Sequence, residues 1–189
     1  NFKKNNQFKS EILSILVLGG SQAAKSFGEL LPTVFKKCIQ KNVKIKIFQQ
    51  CIESQTEELN RIYRDLNFDF ELFNFTKNIL EYFTKADLTI TRAGSSVTAE
   101  LINCNIPFIT IPYPYAADKH QDKNAIYFEK KGYSYSVKET EVNEKLFSLI
   151  ESFYKDKKLL NKITEKQKNH SDKEVFLKIN RVIESLKNE

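Results

Sequence analysis

The chain has 189 residues, a formal net charge of +6, 41% hydrophobic residues and 29% charged residues. This composition fits one globular domain and argues against intrinsic disorder. No apolar run approaches the roughly 18 residues that span a bilayer, and the polar start NFKKNNQFKS does not resemble a secretory signal. Because the chain begins with Asn1 and contains no Met, we expect it to be a fragment or a processed chain.

Cysteine usage and charge narrow the classes of partner. Cys38, Cys51 and Cys104 are odd in number and show no CxxC spacing, so neither a disulfide framework nor a zinc site is predicted. A reducing, cytosolic setting is the simplest interpretation. A basic chain can bind nucleic acid, an anionic membrane or a phosphorylated ligand. Its lysines alternate with acidic residues and form no stripe with aromatics, so nucleic-acid binding is not predicted.

Segments typical of strands and helices alternate along the chain. The apolar run Ile12–Leu18 ends at Gly19-Gly20 and is typical of a buried strand. Apolar residues at helical spacing follow from Phe27 to Ile39, and Pro32 should kink this helix or mark its first turn. The later predicted strands are Val43–Ile47, Phe68–Leu72, Leu88–Thr91, Ile106–Ile111 and Ser134–Val137. The later predicted helices are Leu59–Leu66, Ile79–Ala86, Ser96–Cys104, Gln121–Lys131, further helices from Val142, and a final helix over Val175–Leu186.

Two helix ends carry local signals, and the order of the elements predicts the architecture. Ser54 and Glu57 predict a capping box before the second helix, and Gly132 should stop the helix that precedes it. Strands separated by helices, without hairpin turns, predict βαβ units and a parallel sheet flanked by helices. Such sheets bind ligands at the carboxyl ends of their strands. The loops that follow the strands are therefore the candidate site.

The first loop, residues 19–25, reads Gly-Gly-Ser-Gln-Ala-Ala-Lys after a buried strand. Its glycines let the backbone approach a ligand, the following helix start offers N–H groups to an anion, and Ser21 can donate to a phosphate. The loop matches neither GxGxxG nor a P-loop, so a plain strand-to-helix turn is the alternative. A serine-hydrolase elbow is disfavoured, because Asp118 and His120 lie too close in sequence to align on Ser21.

The second loop, residues 91–96, also places a glycine and two serines at a helix start. Glu100 lies one helical turn from Ser96, so both side chains can face one side. A carboxylate there can accept two hydrogen bonds from the vicinal hydroxyls of a ribose. The alternative is that Glu100 pairs with a surface lysine.

The third loop, residues 112–121, concentrates groups that can bind sugar hydroxyls at another helix start. These are Asp118, His120 and Gln121, with Asn124 one turn further on. The alternative for Asp118 is that it caps the helix. The chain holds only two histidines and no HxxxH spacing, so no metal site and no cofactor are predicted.

The three loops together resemble the MurG family, the peptidoglycan transferases that add N-acetylglucosamine from UDP-N-acetylglucosamine to lipid I to give lipid II. The resemblance covers roughly residue 12 to the C-terminus. It rests on three motifs in the same order and spacing: Gly-Gly-Ser-Gln-Ala-Ala at 19–24, Thr-Arg-Ala-Gly-Ser-Ser-Val-Thr-Ala-Glu at 91–100, and Pro-Tyr-Pro-Tyr-Ala-Ala-Asp-Lys-His-Gln-Asp-Lys-Asn-Ala at 112–125.

The resemblance implies the C-terminal, donor-binding half of a GT-B glycosyltransferase. Residues 1–10 would be a polar leader from the interdomain region and residues 11–189 the donor domain, with the last helix packing on an absent N-terminal domain. That domain would hold the catalytic base and the lipid I site, so no catalytic residue is expected in this chain. The resemblance also implies inverting, metal-independent transfer at the cytoplasmic face of the bacterial inner membrane, with an anionic membrane surface as a partner.

The resemblance also assigns roles to individual residues. The first loop would contact the diphosphate, Phe75–Ile79 would hold the uracil, Glu100 would hold the ribose, the second loop would lie near the diphosphate and sugar, and the third loop would face the sugar hydroxyls. The candidate site residues are Gly20, Ser21, Gln22, Thr76, Ile79, Gly94, Ser95, Ser96, Val97, Glu100, His120, Gln121 and Asn124. The sequence departs from the family at two positions: Ala23 stands where the family has a glycine, and Val97 where it commonly has a threonine. The adjacent Thr98 could substitute for that threonine only if the register were shifted.

Three alternatives of other kinds stay open at this level. The chain can be the donor-binding subunit of a split GT-B transferase, an isomerase similar to UDP-N-acetylglucosamine 2-epimerases, or a nucleotide-sugar-binding module without turnover. An isomerase would need more carboxylates and histidines in the cleft than the motifs provide.

Overall fold

The computed structural model describes residues 11–170, apart from the side chains of residues 21–24. Strands and helices alternate through this range, as the sequence pattern predicts. The strands are β1 (Leu13–Leu18), β2 (Ile45–Gln50), β3 (Asp69–Phe73), β4 (Leu88–Thr91), β5 (Phe108–Thr110) and β6 (Ser134–Ser136). The α-helices are α1 (Gly20–Gln40), α2 (Thr56–Asp65), α3 (Ile79–Lys85), α4 (Ser95–Asn103), α5 (His120–Lys130), α6 (Phe147–Lys155) and α7 (Lys158–Lys168). Short 3₁₀ turns lie at Glu53–Gln55, Ala117–Lys119 and Glu139–Glu141, and a π turn lies at Val142–Leu146.

The six strands form one parallel sheet in the order β3-β2-β1-β4-β5-β6. Ile15 at the centre of β1 pairs with Ile47 of β2 on one side and with Leu88 of β4 on the other. The chain therefore builds outward to β3 and then returns to start again beside β1. The loops after β1 and β4 diverge at this reversal and leave a crevice at the carboxyl edge. The predicted parallel sheet is confirmed.

Both faces of the sheet are covered, because side chains alternate along each strand. Leu13, Ile15 and Val17 point into a large core that includes residues of α1, α2, α6 and α7. Leu16 and Leu18 point into a smaller core with α3 and α4. This two-sided burial gives the loops at the carboxyl edge a rigid base.

Helix α1 begins earlier than its apolar pattern predicts. It starts at Gly20, while the first buried residue of the predicted stripe is Phe27. Periodicity reports burial, so it does not detect a first turn of small and polar residues at the edge of the sheet. Pro32 lies inside α1, so the prediction that it marks the first turn is wrong.

Two further expectations differ from the structure. Ser54 belongs to a 3₁₀ turn, and neither that turn nor α2 has a side-chain cap, so the predicted capping box is wrong. The sequence predicts strand β2 over Val43–Ile47, but the strand extends to Gln50. Its polar end can be buried because Gln49 accepts a 2.6 Å hydrogen bond from the Tyr63 hydroxyl.

The remaining boundaries agree more closely. Gly132 follows α5 with φ +72°, as expected of a glycine stop. The predicted leader over residues 1–10 and the final helix over Val175–Leu186 lie outside the described residues. Among the helices of residues 11–170, none combines the length and apolar character needed to cross a membrane.

Candidate functional site

A cavity of about 630 Å³ opens at the carboxyl edge of the sheet, where the crevice is expected. All three loops reach its wall, together with the loop of residues 74–78 between β3 and α3, called the base loop below. Ten of the predicted site residues line the cavity: Gly20, Thr76, Ile79, Gly94, Ser95, Ser96, Val97, Glu100, His120 and Gln121. The structure thus brings the predicted residues together, while their contacts with a ligand stay predictions.

For two of the other three predicted site residues the structure describes the backbone alone, and the third bonds within the protein. Ser21 and Gln22 have backbone in the first turn of α1, but their side chains lie outside the described part of the chain. Asn124 donates from Nδ2 to the carbonyl of Ala93 at 3.0 Å, so it bonds α5 to the second loop. Its contact with a sugar hydroxyl stays a prediction.

Two helices begin at the cavity with their amino ends exposed to it. Helix α1 starts at Gly20 and α4 at Ser95, and neither has an acidic residue in its first turn. The first amides of a helix have no partner within the helix, and the helix dipole makes this end positive. In α4 the first intrahelical bond is from Thr98 N to Gly94 O, which leaves the amides of Ser95, Ser96 and Val97 ahead of it. The pair of helix ends is suited to an anion with two charged groups.

Thr98 does not take the place of the threonine that the resemblance leads us to expect at position 97. Its side chain is fully buried, and its hydroxyl bonds to the carbonyls of Gly94 at 2.7 Å and Ser95 at 3.1 Å. Val97 therefore presents an apolar side chain to the cavity at this position. A ligand at this point of the wall must bind to backbone amides or to the neighbouring serines.

Glu100 and Ser96 lie on the same wall, as their helical spacing predicts. Glu100 is exposed, and none of the described lysines lies within ion-pair distance of it. The alternative that it pairs with a surface lysine is therefore not supported within residues 11–170. The carboxylate can accept hydrogen bonds from a ligand at the edge of the cavity.

The base loop adds an aromatic side chain to this wall. Phe75 is 78% exposed although it is large and apolar, and Thr76 and Ile79 line the cavity beside it. The hydroxyl of Thr76 accepts a 3.0 Å hydrogen bond from Asn78 N, which shapes the loop before α3. An exposed ring at a cavity mouth is suited to stacking on a planar base.

Tyr82 packs against Phe73, the last residue before the base loop, and holds it in place. The ring of Tyr82 stacks on Phe73 with centroids 4.3 Å apart, and its hydroxyl donates to Glu71 at 2.7 Å. Burial, helped by this hydrogen bond, raises the pKa of Tyr82 to about 12. The hydroxyl therefore stays protonated at neutral pH and remains a donor. Phe73 in turn lines the cavity.

The third loop is held by bonds to its own side chains. Gln121 Oε1 accepts a 3.0 Å hydrogen bond from Tyr113 N, so the amide oxygen faces the loop. His120 Nδ1 lies 2.7 Å from the carbonyl of Ala117; a carbonyl only accepts, so Nδ1 carries the proton and Nε2 is an acceptor when the ring is neutral. Asp118 and Lys119 both have left-handed φ values, and Asp118 provides no side-chain cap to α5. The alternative that Asp118 caps this helix is therefore wrong.

Two polar residues on the wall were not assigned a role from the sequence. Gln50 accepts a 3.1 Å hydrogen bond from Gly20 N through Oε1, and its Nε2 donates to the carbonyl of Asn74 at 3.2 Å. It thus joins the first loop to the base loop. Arg92 lines the same cavity and is buried. Within residues 11–170, no three His, Cys, Asp or Glu side chains are placed to hold a metal ion.

A parallel sheet of this strand order, with two helix amino ends and an exposed carboxylate on the cavity wall at its reversal point, is the arrangement of a Rossmann-like nucleotide-binding domain. The chain belongs to the family described as glycosyltransferase family 28 C-terminal domain, whose model matches residues 14–178. The expected fold class, the C-terminal half of a GT-B glycosyltransferase, and the resemblance to the MurG family are confirmed.

Individual relatives agree with this assignment. The chain is 39% identical over 145 residues to the UDP-N-acetylglucosamine--N-acetylmuramyl-(pentapeptide) pyrophosphoryl-undecaprenol N-acetylglucosamine transferase of Pelagibacter ubique, covering 76% of this chain and 40% of that protein. It is 37% identical over 154 residues to the protein of the same name from Rickettsia bellii, covering 78% of this chain and 43% of that protein. The crystal structure of Acinetobacter baumannii MurG superposes with a TM-score of 0.76 at 27% identity, covering 88% of this chain and 50% of that one. The chain thus spans half or less of the length of these relatives.

Proposed function

We propose that the chain is the donor-binding part of an N-acetylglucosaminyltransferase of peptidoglycan synthesis. The complete enzyme would transfer N-acetylglucosamine from UDP-N-acetylglucosamine to lipid I and release UDP. The observation that carries this proposal is the single cavity on which the family's three motifs and the base loop meet. The identity to transferases of that name supports the choice of substrates.

The geometry suggests how the donor lies in the cavity. The base would stack on Phe75 in the base loop, the ribose hydroxyls would donate to Glu100, and the diphosphate would lie between the amino ends of α1 and α4. The sugar would then face His120 and Gln121. The base loop and the third loop follow strands on opposite sides of the first and second loops in the sheet, which supports this order.

The same helix ends support a role in the chemical step. The acceptor hydroxyl attacks the anomeric carbon, the bond from that carbon to the β-phosphate oxygen breaks, and the acceptor proton passes to a base. Negative charge then grows on the UDP leaving group. Positive helix ends that are already oriented stabilise such charge without reorganisation, so we propose transfer that does not depend on a metal ion.

The remaining parts of the proposal concern regions beyond this cavity. The base and the lipid I site would lie in the part of the relatives that this chain does not match. The complete enzyme would act as a peripheral protein at the cytoplasmic face of the inner membrane, and the positive net charge of this chain would contribute to its attraction to anionic lipid. Nucleic acid is not among the proposed partners.

The chain by itself should bind UDP and UDP-N-acetylglucosamine weakly and transfer nothing, because it provides a donor cavity without an acceptor site. Calorimetric titration measures the binding, and a lipid I transfer assay measures the turnover. Transfer by the purified chain would contradict this prediction. Failure to bind any uridine nucleotide would contradict the proposed function as a whole.

Replacement of Gln121 by alanine should narrow the preference for UDP-N-acetylglucosamine over UDP-N-acetylgalactosamine and leave UDP binding nearly unchanged. A site that hydrogen-bonds a hydroxyl rejects an epimer that leaves its polar groups unpaired. The two dissociation constants are measured by titration of the chain. Because Gln121 also accepts from Tyr113 N, Gln121→Glu is the matched control: it keeps this acceptor and loses the amide donors.

The control separates the two roles of this side chain. If the amide donors read the sugar, Gln121→Glu should lose the preference as Gln121→Ala does. If only Gln121→Ala changes the preference between the two UDP-sugars, the side chain acts by holding the third loop through its bond to Tyr113 N. An equal loss of affinity for UDP itself would show that the third loop serves the nucleotide.

A further inference from the structure

The guanidinium of Arg92 lies where the three loops meet. Arg92 belongs to the second loop and is only 5% exposed. Its Nη2 donates to Ser26 Oγ at 2.5 Å, directly after the first loop in α1. Its Nη1 donates to the carbonyls of Ile111 and Pro112 at 3.1 and 3.3 Å, where the third loop begins. One side chain therefore bonds the second loop both to α1 directly after the first loop and to the start of the third loop.

Aromatic rings and a carboxylate fix this guanidinium further. Its carbon lies 4.6 Å from the ring centroid of Phe27 and 5.4 Å from that of Tyr113. Glu139 supplies the counter-charge, with Oε2 at 2.6 Å from Nη1. The Glu139 side chain is 26% exposed and does not belong to the described cavity wall, whereas Arg92 does. Glu139 is thus placed to act on a ligand through Arg92.

We propose that Arg92 and Glu139 form a positioning pair that sets the first and third loops around the diphosphate and sugar of the donor. The inference rests on the proposed function. Planar guanidinium groups suit this role because they bond in several fixed directions at once. The described polar partners of the pair include neither the base loop nor Glu100. The pair should therefore act on the diphosphate and sugar and leave uridine binding unchanged.

Titration of the full chain with uridine, UDP and UDP-N-acetylglucosamine tests the pair. Glu139→Gln should weaken UDP-N-acetylglucosamine binding about tenfold, UDP binding less, and uridine binding less than about twofold, a typical size for coupling through a second group. Glu144→Gln is the matched control. Glu144 forms an exposed ion pair with Lys37, with 2.8 Å between Oε2 and Nζ, and does not belong to the described cavity wall. Its three dissociation constants should equal those of the unsubstituted chain.

Two further variants separate positioning from folding. Arg92→Lys keeps a positive charge beside Glu139 but replaces the two separate Nη donors by one flexible ammonium group, so it loses the fixed bonds in two directions and should show the same order of losses as Glu139→Gln. Ser26→Ala removes the bond to α1 without changing any charge and should give a smaller loss, about threefold for UDP-N-acetylglucosamine. Its control is Ser148→Ala, an exposed helix serine that bonds to the carbonyl of Glu144.

The outcomes are distinct. Losses that grow from uridine to UDP-N-acetylglucosamine support the pair as a positioning device. Equal losses for all three ligands, or none, overturn it while the proposed function stands. If Glu139→Gln does not unfold cooperatively, Ser26→Ala decides by the same comparison. If the unsubstituted chain binds no uridine ligand, the proposed function fails and the inference fails with it.

Discussion

Replacement of Phe27 by alanine should lower the free energy of unfolding by about 3–5 kcal/mol, as is usual for a large aromatic side chain lost from a core. Phe27 is fully buried in the part of α1 that follows the first loop, and its ring also contacts the Arg92 guanidinium. The cavity left behind would lie directly beneath the site. Urea denaturation followed by circular dichroism measures the change.

Phe75→Ala is the matched control for this substitution, because the same side chain is removed from an exposed position. Its free energy of unfolding should stay within about 0.5 kcal/mol of the unsubstituted chain. Uridine should bind more weakly, since base stacking on an exposed ring is lost. A destabilisation as large as that of Phe27→Ala would show that the base loop is part of the core.

Glu100→Ala should weaken the binding of uridine, UMP and UDP by similar factors, between about tenfold and 150-fold, the range for hydrogen bonds to a charged group. The reason is that Glu100 is proposed to accept from the ribose hydroxyls, which all three ligands share. Titration with each ligand gives the three factors.

The control for Glu100 is Glu81→Ala on α3, since Glu81 forms a 2.6 Å ion pair with Lys85 and does not belong to the described cavity wall. Its affinities should match those of the unsubstituted chain. A loss at Glu100 that grows with the number of phosphates would contradict the ribose assignment and would place the carboxylate near the diphosphate instead.

The location of the site could be predicted from the sequence because it depends on two simple rules. Strand and helix periodicities gave the βαβ order, and parallel strands bring their carboxyl ends to one edge. Glu100 and Ser96 meet on the cavity wall because helical spacing is regular. Residues whose relative positions follow from the geometry of one helix can therefore be placed together from the sequence alone.

The contacts that organise the loops could not be predicted in this way. Arg92 meets Ser26 across 66 positions of sequence, and Gln50 meets Gly20 across 30. Neither pair has a spacing that any periodicity reports, since it depends on which strands become neighbours. Local signals also failed where a rival local structure formed, as at Ser54, where a 3₁₀ turn precedes α2.

Gln50 links two parts of the cavity energetically. Its amide bonds Gly20 N and the Asn74 carbonyl simultaneously, so the amino end of α1 and the base loop share one side chain. A phosphate that approached the Gly20 amide would compete with Gln50 Oε1, and release of that oxygen would free the tie to the base loop. On the proposed function, binding in one half of the cavity would then alter the free energy of binding in the other half, by the same amount in both directions.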